Sequence, residues 1–243
     1  MSKKNKKIDF GFQEVDIDAK KIMVNEVFNQ VSRKYDLMND LSSFGLHRYW
    51  KNELINWLAP QSHQILADLA GGTGDIAKKF IKNGGKRVDI IDLNINMLKN
   101  GIKKNNDKIF YITGNCENIP IQDNTYDRVT ISFGLRNITY REKALQEIYR
   151  ILKPGGRFIC LEFSKVENKF LEKGYNIWSF KFLPVIGELV TQNRNAYNYL
   201  VESIRKFPNQ DKLALMMSKA NFSRVKYKNL SQGIVALHSG WKI

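Results

Sequence analysis

The run Asp68-Leu69-Ala70-Gly71-Gly72-Thr73-Gly74-Asp75 sets a carboxylate ahead of a string of small residues, and a further carboxylate, Asp92, stands 20 residues beyond Gly72. Small residues let a ligand approach the backbone, and a helix starting near Asp75 offers unpaired N–H groups to a carboxylate or phosphate. The chemistry on offer is the holding of a nucleoside with a charged tail. Read literally, Gly72-Thr73-Gly74-Asp75-Ile76-Ala77 also fits the GxGxxA dinucleotide fingerprint, with Asp92 where a ribose-binding acid belongs. Alone, the loop does not choose its cofactor.

Its surroundings favour S-adenosylmethionine over a nicotinamide: the acidic Asp68 precedes the glycines, roughly 60 residues of mainly helical pattern precede the first strand, and the chain ends in a strand pair. On that reading Asp68, Gly72, Thr73 and Gly74 form the loop of the site. Asp92 accepts hydrogen bonds from both ribose hydroxyls, a bidentate task suited to a strand-end carboxylate. Asn115 and Cys116 lie beside the adenine, and Ser132 faces the amino-acid part.

Short apolar runs alternating with helical stretches must position these residues. Strands are predicted at 65–70, 88–92, 109–113, 128–133 and 157–163, with helices between, which is the signature of a parallel sheet. A helical insertion near 171–204 and a helix near 211–220 follow. Two last strands, 224–229 and 234–238, are joined by so short a turn that they pair antiparallel. Upstream, Ile22, Met23, Val27 and Phe28 repeat at helical intervals, a polar break is expected around Asn39 to Ser43, and Pro60 ends the segment. The predicted fold is α/β and Rossmann-like, in the manner of class I methyltransferases: a mostly parallel seven-stranded sheet, a C-terminal antiparallel hairpin and an N-terminal helical segment. Residues 1–59 read as tail and helical cap, and 60–243 as the catalytic domain with an insertion at about 168–205.

Composition limits the alternatives. A chain of 243 residues with 43% hydrophobic content buries one substantial core. Its apolar runs are too short to cross a bilayer, and the N-terminus lacks an apolar signal core, so a cytoplasmic protein is expected. Cys116 and Cys160 show no CxxC pairing, and His47, His63 and His238 are scattered, so neither a disulfide nor a metal is expected. The net charge of +15 invites nucleic acid or anionic lipid, but 28 Lys against 11 Arg also suits a plain coding bias. Lys3, Lys4, Lys6 and Lys7 read as a solvated tail.

Other motifs are more specific. Tyr35-Asp36-Leu37-Met38-Asn39 is followed by Ser43, His47 and Trp50; Asp123 to Asn137 reads DNTYDRVTISFGLRN; Arg150 to Ser164 reads RILKPGGRFICLEFS; and GIVALHSGWK stands near the end. With these motifs the chain resembles, over nearly its whole length, the C-methyltransferases of ubiquinone and menaquinone biosynthesis. Ser42 stands where that family usually has an aliphatic residue, and Ile151 replaces a commoner Val. Pro154-Gly155-Gly156 reads as a tight turn into the fifth strand.

The resemblance implies a reduced polyprenylated quinol as acceptor, methylated on a ring carbon. A quinol carbon becomes nucleophilic as its neighbouring hydroxyl loses a proton, so the protein must align two ligands and favour phenolate. Arg136 and Asn137, at the exit of the fourth strand, are expected to position the acceptor. Arginine stays protonated up to pH values above about 12, so it stabilises the phenolate, and water or Glu117 receives the proton. The N-terminal helices around Phe28, Tyr35 and Phe44, and the insertion with Tyr175, Trp178, Phe180, Phe182, Leu183 and Ile186, are candidates for an apolar channel, with plain core as the alternative. The basic surface would then meet anionic lipid at the inner face of a membrane. Other quinone-biosynthesis enzymes are a further class of partner.

Two competing readings have specific marks. A nucleic-acid methyltransferase is disfavoured because SFGLRN lacks the Asn/Asp-Pro-Pro-aromatic motif of base amino-group methylation, so no nucleic acid is expected as partner. A non-catalytic scaffold is disfavoured by the intact Asp68, Gly72, Gly74, Asp92, Arg136 and Asn137.

Overall fold

The computed structural model describes residues 7–31, 35–103, 106–191 and 194–243. Lys3, Lys4 and Lys6 of the expected tail, and the side chains of Tyr35, Asp36 and Ile186, lie outside the described residues.

The strands expected from the alternating pattern are present: β3 (Ile65–Leu69), β4 (Arg87–Asp92), β5 (Ile109–Thr113), β6 (Tyr126–Ser132) and β7 (Leu152–Phe163) run parallel, and β8 (Ser223–Leu230) and β9 (Val235–Trp241) close the sheet antiparallel. Their order is β5-β4-β3-β6-β7-β9-β8. Buried on both faces, the central strands are almost continuously apolar, and successive residues feed opposite layers. Leu66, Ile90 and Ile159 join one core with Trp50, Leu54 and Phe80. Ala67, Ile91 and Cys160 join the other with Leu145, Ile148 and Met217. The first layer is covered by α3 (Leu46–Leu58), α4 (Asp75–Lys82) and α9 (Arg194–Lys206), and the second by α6 (Arg141–Ile151) and α10 (Gln210–Lys219).

From β3 the chain winds outward through β4 to β5, then returns to place β6 on the other side of β3. That reversal opens a crevice beyond the carboxyl ends of β3 and β6, where α/β sheets receive ligands. Two further helices complete the surround: α1 (Ile17–Val31), which faces the crevice, and α5 (Ile95–Ile102) after β4. Asn94 ties them together, since its Oδ1 caps α5 by accepting the Met97 N–H at 2.9 Å while its Nδ2 donates to Asn25 and Asn29 of α1.

Two expectations are corrected. Lys7 is not tail: it starts an antiparallel pair, β1 (Lys7–Phe10) with β2 (Gln13–Asp16), held down where Phe10 stacks on Tyr199 and the Phe12 N–H reaches Glu202. The polar stretch Asn39 to Ser43 is helical, the end of α2 (Tyr35–Ser43), which accommodates its hydroxyls by letting Ser42 and Ser43 donate back to the Asn39 carbonyl. The chain turns one residue later, at Phe44 and Gly45, both at positive φ. Pro154-Gly155-Gly156 is a turn as expected, although it lies within the bounds of β7: Gly155 sits at φ +78, the register against β6 jumps from Tyr126 opposite Leu152 to Arg128 opposite Arg157, and Gly155 and Gly156 exchange backbone hydrogen bonds with Lys242. The insertion is helical as expected, with α7 (Lys169–Ile177), a five-residue π turn at Trp178–Phe182, and α8 (Leu183–Thr191) preceding α9.

Candidate active site

At the end of β3, Asp68 is 1% exposed. Its Oδ1 accepts the Thr130 hydroxyl at 2.9 Å from the neighbouring β6, and its Oδ2 has no partner. Burial pushes its carboxyl up to about 7, against the opposing pull of the Thr130 hydrogen bond and of Lys51. The loop that follows needs its glycines. Gly72 sits at φ +54, with its N–H donated to Asp92 Oδ2 at 2.9 Å. Gly74 sits at φ +81 at the head of α4, where a Cβ would meet Ile90 Cδ1 at 2.6 Å.

Asp92 ends β4 and binds the loop from the side: besides Gly72, it accepts the Asn94 N–H on Oδ1 at 2.8 Å. Each oxygen keeps lone-pair capacity for a hydroxyl donor. Burial raises its carboxyl above the usual range, while those backbone N–H groups oppose the shift. Thr73 lines the crevice, its carbonyl accepting from Lys78. Beyond β5, Asn115 accepts the Glu117 N–H and Cys116 is buried, its thiol pushed up to about 12 by that burial, so it packs as a neutral group. Ser132, at the end of β6, lines the crevice with its hydroxyl buried and unpartnered. All eight residues expected at the cofactor except Gly74 lie on the wall of this one crevice, which measures about 1200 Å³ out to its open mouth; Gly74 joins the lining residues Thr73 and Asp75.

The three residues expected at the acceptor separate. Asn137 lines the crevice, its Oδ1 accepting the Tyr199 hydroxyl at 3.0 Å, which leaves its amide N–H groups free for a ligand. Glu117 lines it too: Oε1 accepts the N–H groups of Thr139 and Tyr140, and Oε2 lies 3.7 Å from Lys21 Nζ. Arg136 does not reach the wall. Its guanidinium pairs with Glu162 at 3.0 Å, both residues being buried, and also donates to the Phe133 carbonyl. A glutamate 1% exposed near the carboxyl end of β7 requires a cation, and Arg136 supplies it.

Of the aromatic segments named as a channel, Phe28 lines the crevice with Val24 beside it. Phe44 instead packs against Trp178 at the surface, Trp178 against Phe182, and Phe12 against Phe180, leaving Phe44 69% and Phe182 53% exposed. Leu183 is buried in the core. Sequence reasoning missed Lys51, Asn94 and Lys21. The Asn94 cap before Ile95-Asn96-Met97-Leu98 was a readable signal. A single lysine in so lysine-rich a chain was not.

Asp68 gives the site a pH dependence. Its native carboxyl titrates about 7, above the ordinary 3.8, so between those values the folded protein holds a proton that the unfolded chain does not. Stability contributed by the protonated form is therefore complete at low pH and is lost as pH rises toward about 7. A ligand ammonium beside Oδ2 requires the carboxylate, so affinity for such a ligand is expected to fall as pH drops below about 7, with proton release on binding. Calorimetry of S-adenosylhomocysteine in buffers of different ionisation enthalpy measures this. Affinity and proton count independent of pH between about 5.5 and 8 would show that no ammonium meets Asp68.

Known proteins have similar sequences and similar folds. The model of the ubiE/COQ5 methyltransferase family matches residues 15–242. The ubiquinone/menaquinone biosynthesis C-methyltransferase UbiE of Brucella abortus (strain S19) is 49% identical over 243 aligned residues, covering 96% of this chain and 90% of that protein. Its counterpart in Brucella anthropi is 50% identical, covering 96% and 92%. Among solved structures, a SAM-dependent methyltransferase from Aquifex aeolicus superposes with a TM-score of 0.62 at 16% identity, covering 86% of this chain and 98% of that one. Phosphoethanolamine N-methyltransferase 2 of Haemonchus contortus, solved with S-adenosyl-L-methionine, gives 0.56 at 16% identity, covering 78% and 51%. The structures share the fold; the sequence match over nearly all of the chain places it in the ubiE/COQ5 methyltransferase family.

Proposed function

We propose that this S-adenosylmethionine-dependent C-methyltransferase of quinone biosynthesis holds its donor between Asp68 and Asp92 and its quinol acceptor against Asn137 and Glu117. The carrying observation is the unpartnered, buried Asp68 Oδ2 on the crevice wall. A cationic amino-acid tail compensates that oxygen. A dinucleotide pyrophosphate on the same loop would meet a like charge instead.

When bound, adenosylmethionine supplies a methyl group activated by the sulfonium: a carbon–carbon bond forms as the sulfur–carbon bond breaks, leaving a thioether. The chain's residues must favour phenolate in the acceptor and remove the ring proton. The free amide N–H of Asn137 donates to the quinol oxygen as negative charge develops there. Arg136 acts from behind as a positioning residue, fixing the strand exit through Glu162 and the Phe133 carbonyl. Glu117 Oε2, beyond hydrogen-bond distance of Lys21, takes the proton directly or through water. Residues 1–59 serve as cap, since α1 roofs the crevice, and 60–243 as the catalytic domain with its insertion at 168–205.

No helix among the described residues is long and apolar enough to cross a membrane. The exposed Phe12, Phe44, Phe180 and Phe182, with Lys181 among them, favour contact of a cytoplasmic protein with an anionic bilayer that stores the polyprenyl tail. One assay tests acceptor and surface together: turnover of the reduced benzoquinol and naphthoquinol precursors, and of their oxidised forms, carried in anionic or neutral vesicles. Methylation of reduced precursor alone, faster on anionic vesicles and suppressed by salt, is expected. Equal turnover of the oxidised forms would remove the phenolate mechanism, and indifference to vesicle charge and salt would remove the membrane contact.

A further inference from the structure

Two buried charges reach the crevice with hydrogen-bonding capacity unused. Lys51 of α3 is 5% exposed, and its ammonium donates to Asp75 Oδ2 at 2.8 Å. That is one acceptor for three N–H donors. Asp68 Oδ2 has no donor at all. Both residues line the same crevice.

Opposite charges this deep in a protein attract strongly, and Asp68 does feel Lys51 through space. Yet no direct ion pair between them forms, because each is tethered elsewhere: Lys51 by Asp75 at the head of α4, and Asp68 by Thr130 of β6. A ligand that satisfies both must present a cation to the carboxylate and an anion to the ammonium. An α-amino acid zwitterion carries those two charges on groups bonded to one and the same carbon. Asp75 sharpens the requirement, since without Lys51 its own carboxylate would repel a ligand carboxylate at the helix N-terminus.

We propose that Lys51 binds the α-carboxylate of the adenosyl amino acid while Asp68 takes its α-ammonium. The inference rests on the reading of this crevice as the adenosylmethionine site, and it names the residue that recognises the amino-acid end. Lys51 is thus a specificity residue: it separates the full cofactor from nucleosides that carry the same adenosine without the zwitterion.

Calorimetric titration of wild type, Lys51→Met, Lys51→Gln and Lys51→Arg with S-adenosylhomocysteine and with 5′-methylthioadenosine, which lacks the amino-acid end, tests it. Loss of a charge-assisted contact is expected to weaken S-adenosylhomocysteine about tenfold to a hundredfold in Lys51→Met and Lys51→Gln. Methylthioadenosine affinity is expected to change less than about threefold, and Lys51→Arg to recover most of the loss. Should the Met variant not fold, the Gln variant, which keeps a donor for Asp75, gives the same readout. Equal loss for both ligands, or undiminished S-adenosylhomocysteine binding, would overturn the assignment. Failure of the wild type to bind S-adenosylhomocysteine would overturn the adenosylmethionine reading instead.

Discussion

Asp92→Ala is expected to weaken S-adenosylhomocysteine by about a hundredfold or more, the largest single loss of affinity in the site. A carboxylate accepting two ribose hydroxyls makes two charge-assisted hydrogen bonds, each contributing about 1.5–3 kcal/mol. Every 1.4 kcal/mol is about tenfold in affinity, so the pair accounts for about two to four powers of ten. The same substitution releases the Gly72 and Asn94 N–H groups and frees the glycine loop, so part of the loss is loss of preorganisation. Asp92→Asn keeps the side-chain shape but replaces one acceptor oxygen with a donor, and an intermediate loss is expected. Calorimetry with the nucleoside adenosine separates the contributions, because adenosine retains the ribose. A loss of less than tenfold for Asp92→Ala would mean that the ribose lies elsewhere.

Arg136→Leu is expected to destabilise the fold by about 3–5 kcal/mol, because removing one partner of a buried ion pair strands the other. Glu162 is 1% exposed, and its carboxylate accepts from Arg136 through both the guanidinium and the backbone N–H. Arg136→Leu combined with Glu162→Leu is expected to regain most of that stability, since no unpaired charge remains. It is expected to lose turnover nonetheless, because the Phe133 to Asn137 exit is no longer held. Urea unfolding gives the stabilities. If the single variant lost less than about 1 kcal/mol and raised only the KM for the acceptor, Arg136 would be a direct acceptor contact and the buried pairing incidental.

How much of this was legible in the sequence follows from how local each signal is. Strands such as Ile65 to Leu69 and Arg87 to Asp92 announce themselves because both faces of a central parallel strand are buried, and the glycine loop because its backbone demands positive φ. The placement of Asp68 and Asp92 on one wall followed from the switch in strand order. Other features depend on partners distant in the chain. The β1–β2 pair is short and polar, and it is anchored by Glu202, 190 residues from Phe12. Arg136 looked available for a ligand until β7 brought Glu162 beneath it, 26 residues on. Ser42 and Ser43 looked like a break, since hydroxyls in sequence do not reveal whether they bond back into their own helix. Lys51 had no local signal at all: its burial arises only where α3 crosses α4.

The most direct measurement locates the transferred methyl group. Purified protein, adenosylmethionine labelled in its methyl carbon and each reduced demethyl precursor are incubated anaerobically, and the product is analysed by mass and carbon NMR. The expected result is one labelled methyl per acceptor, bonded to a ring carbon, with S-adenosylhomocysteine formed in equal amount. Label on a quinol oxygen, or no transfer to either quinol by protein that binds S-adenosylhomocysteine, would contradict it.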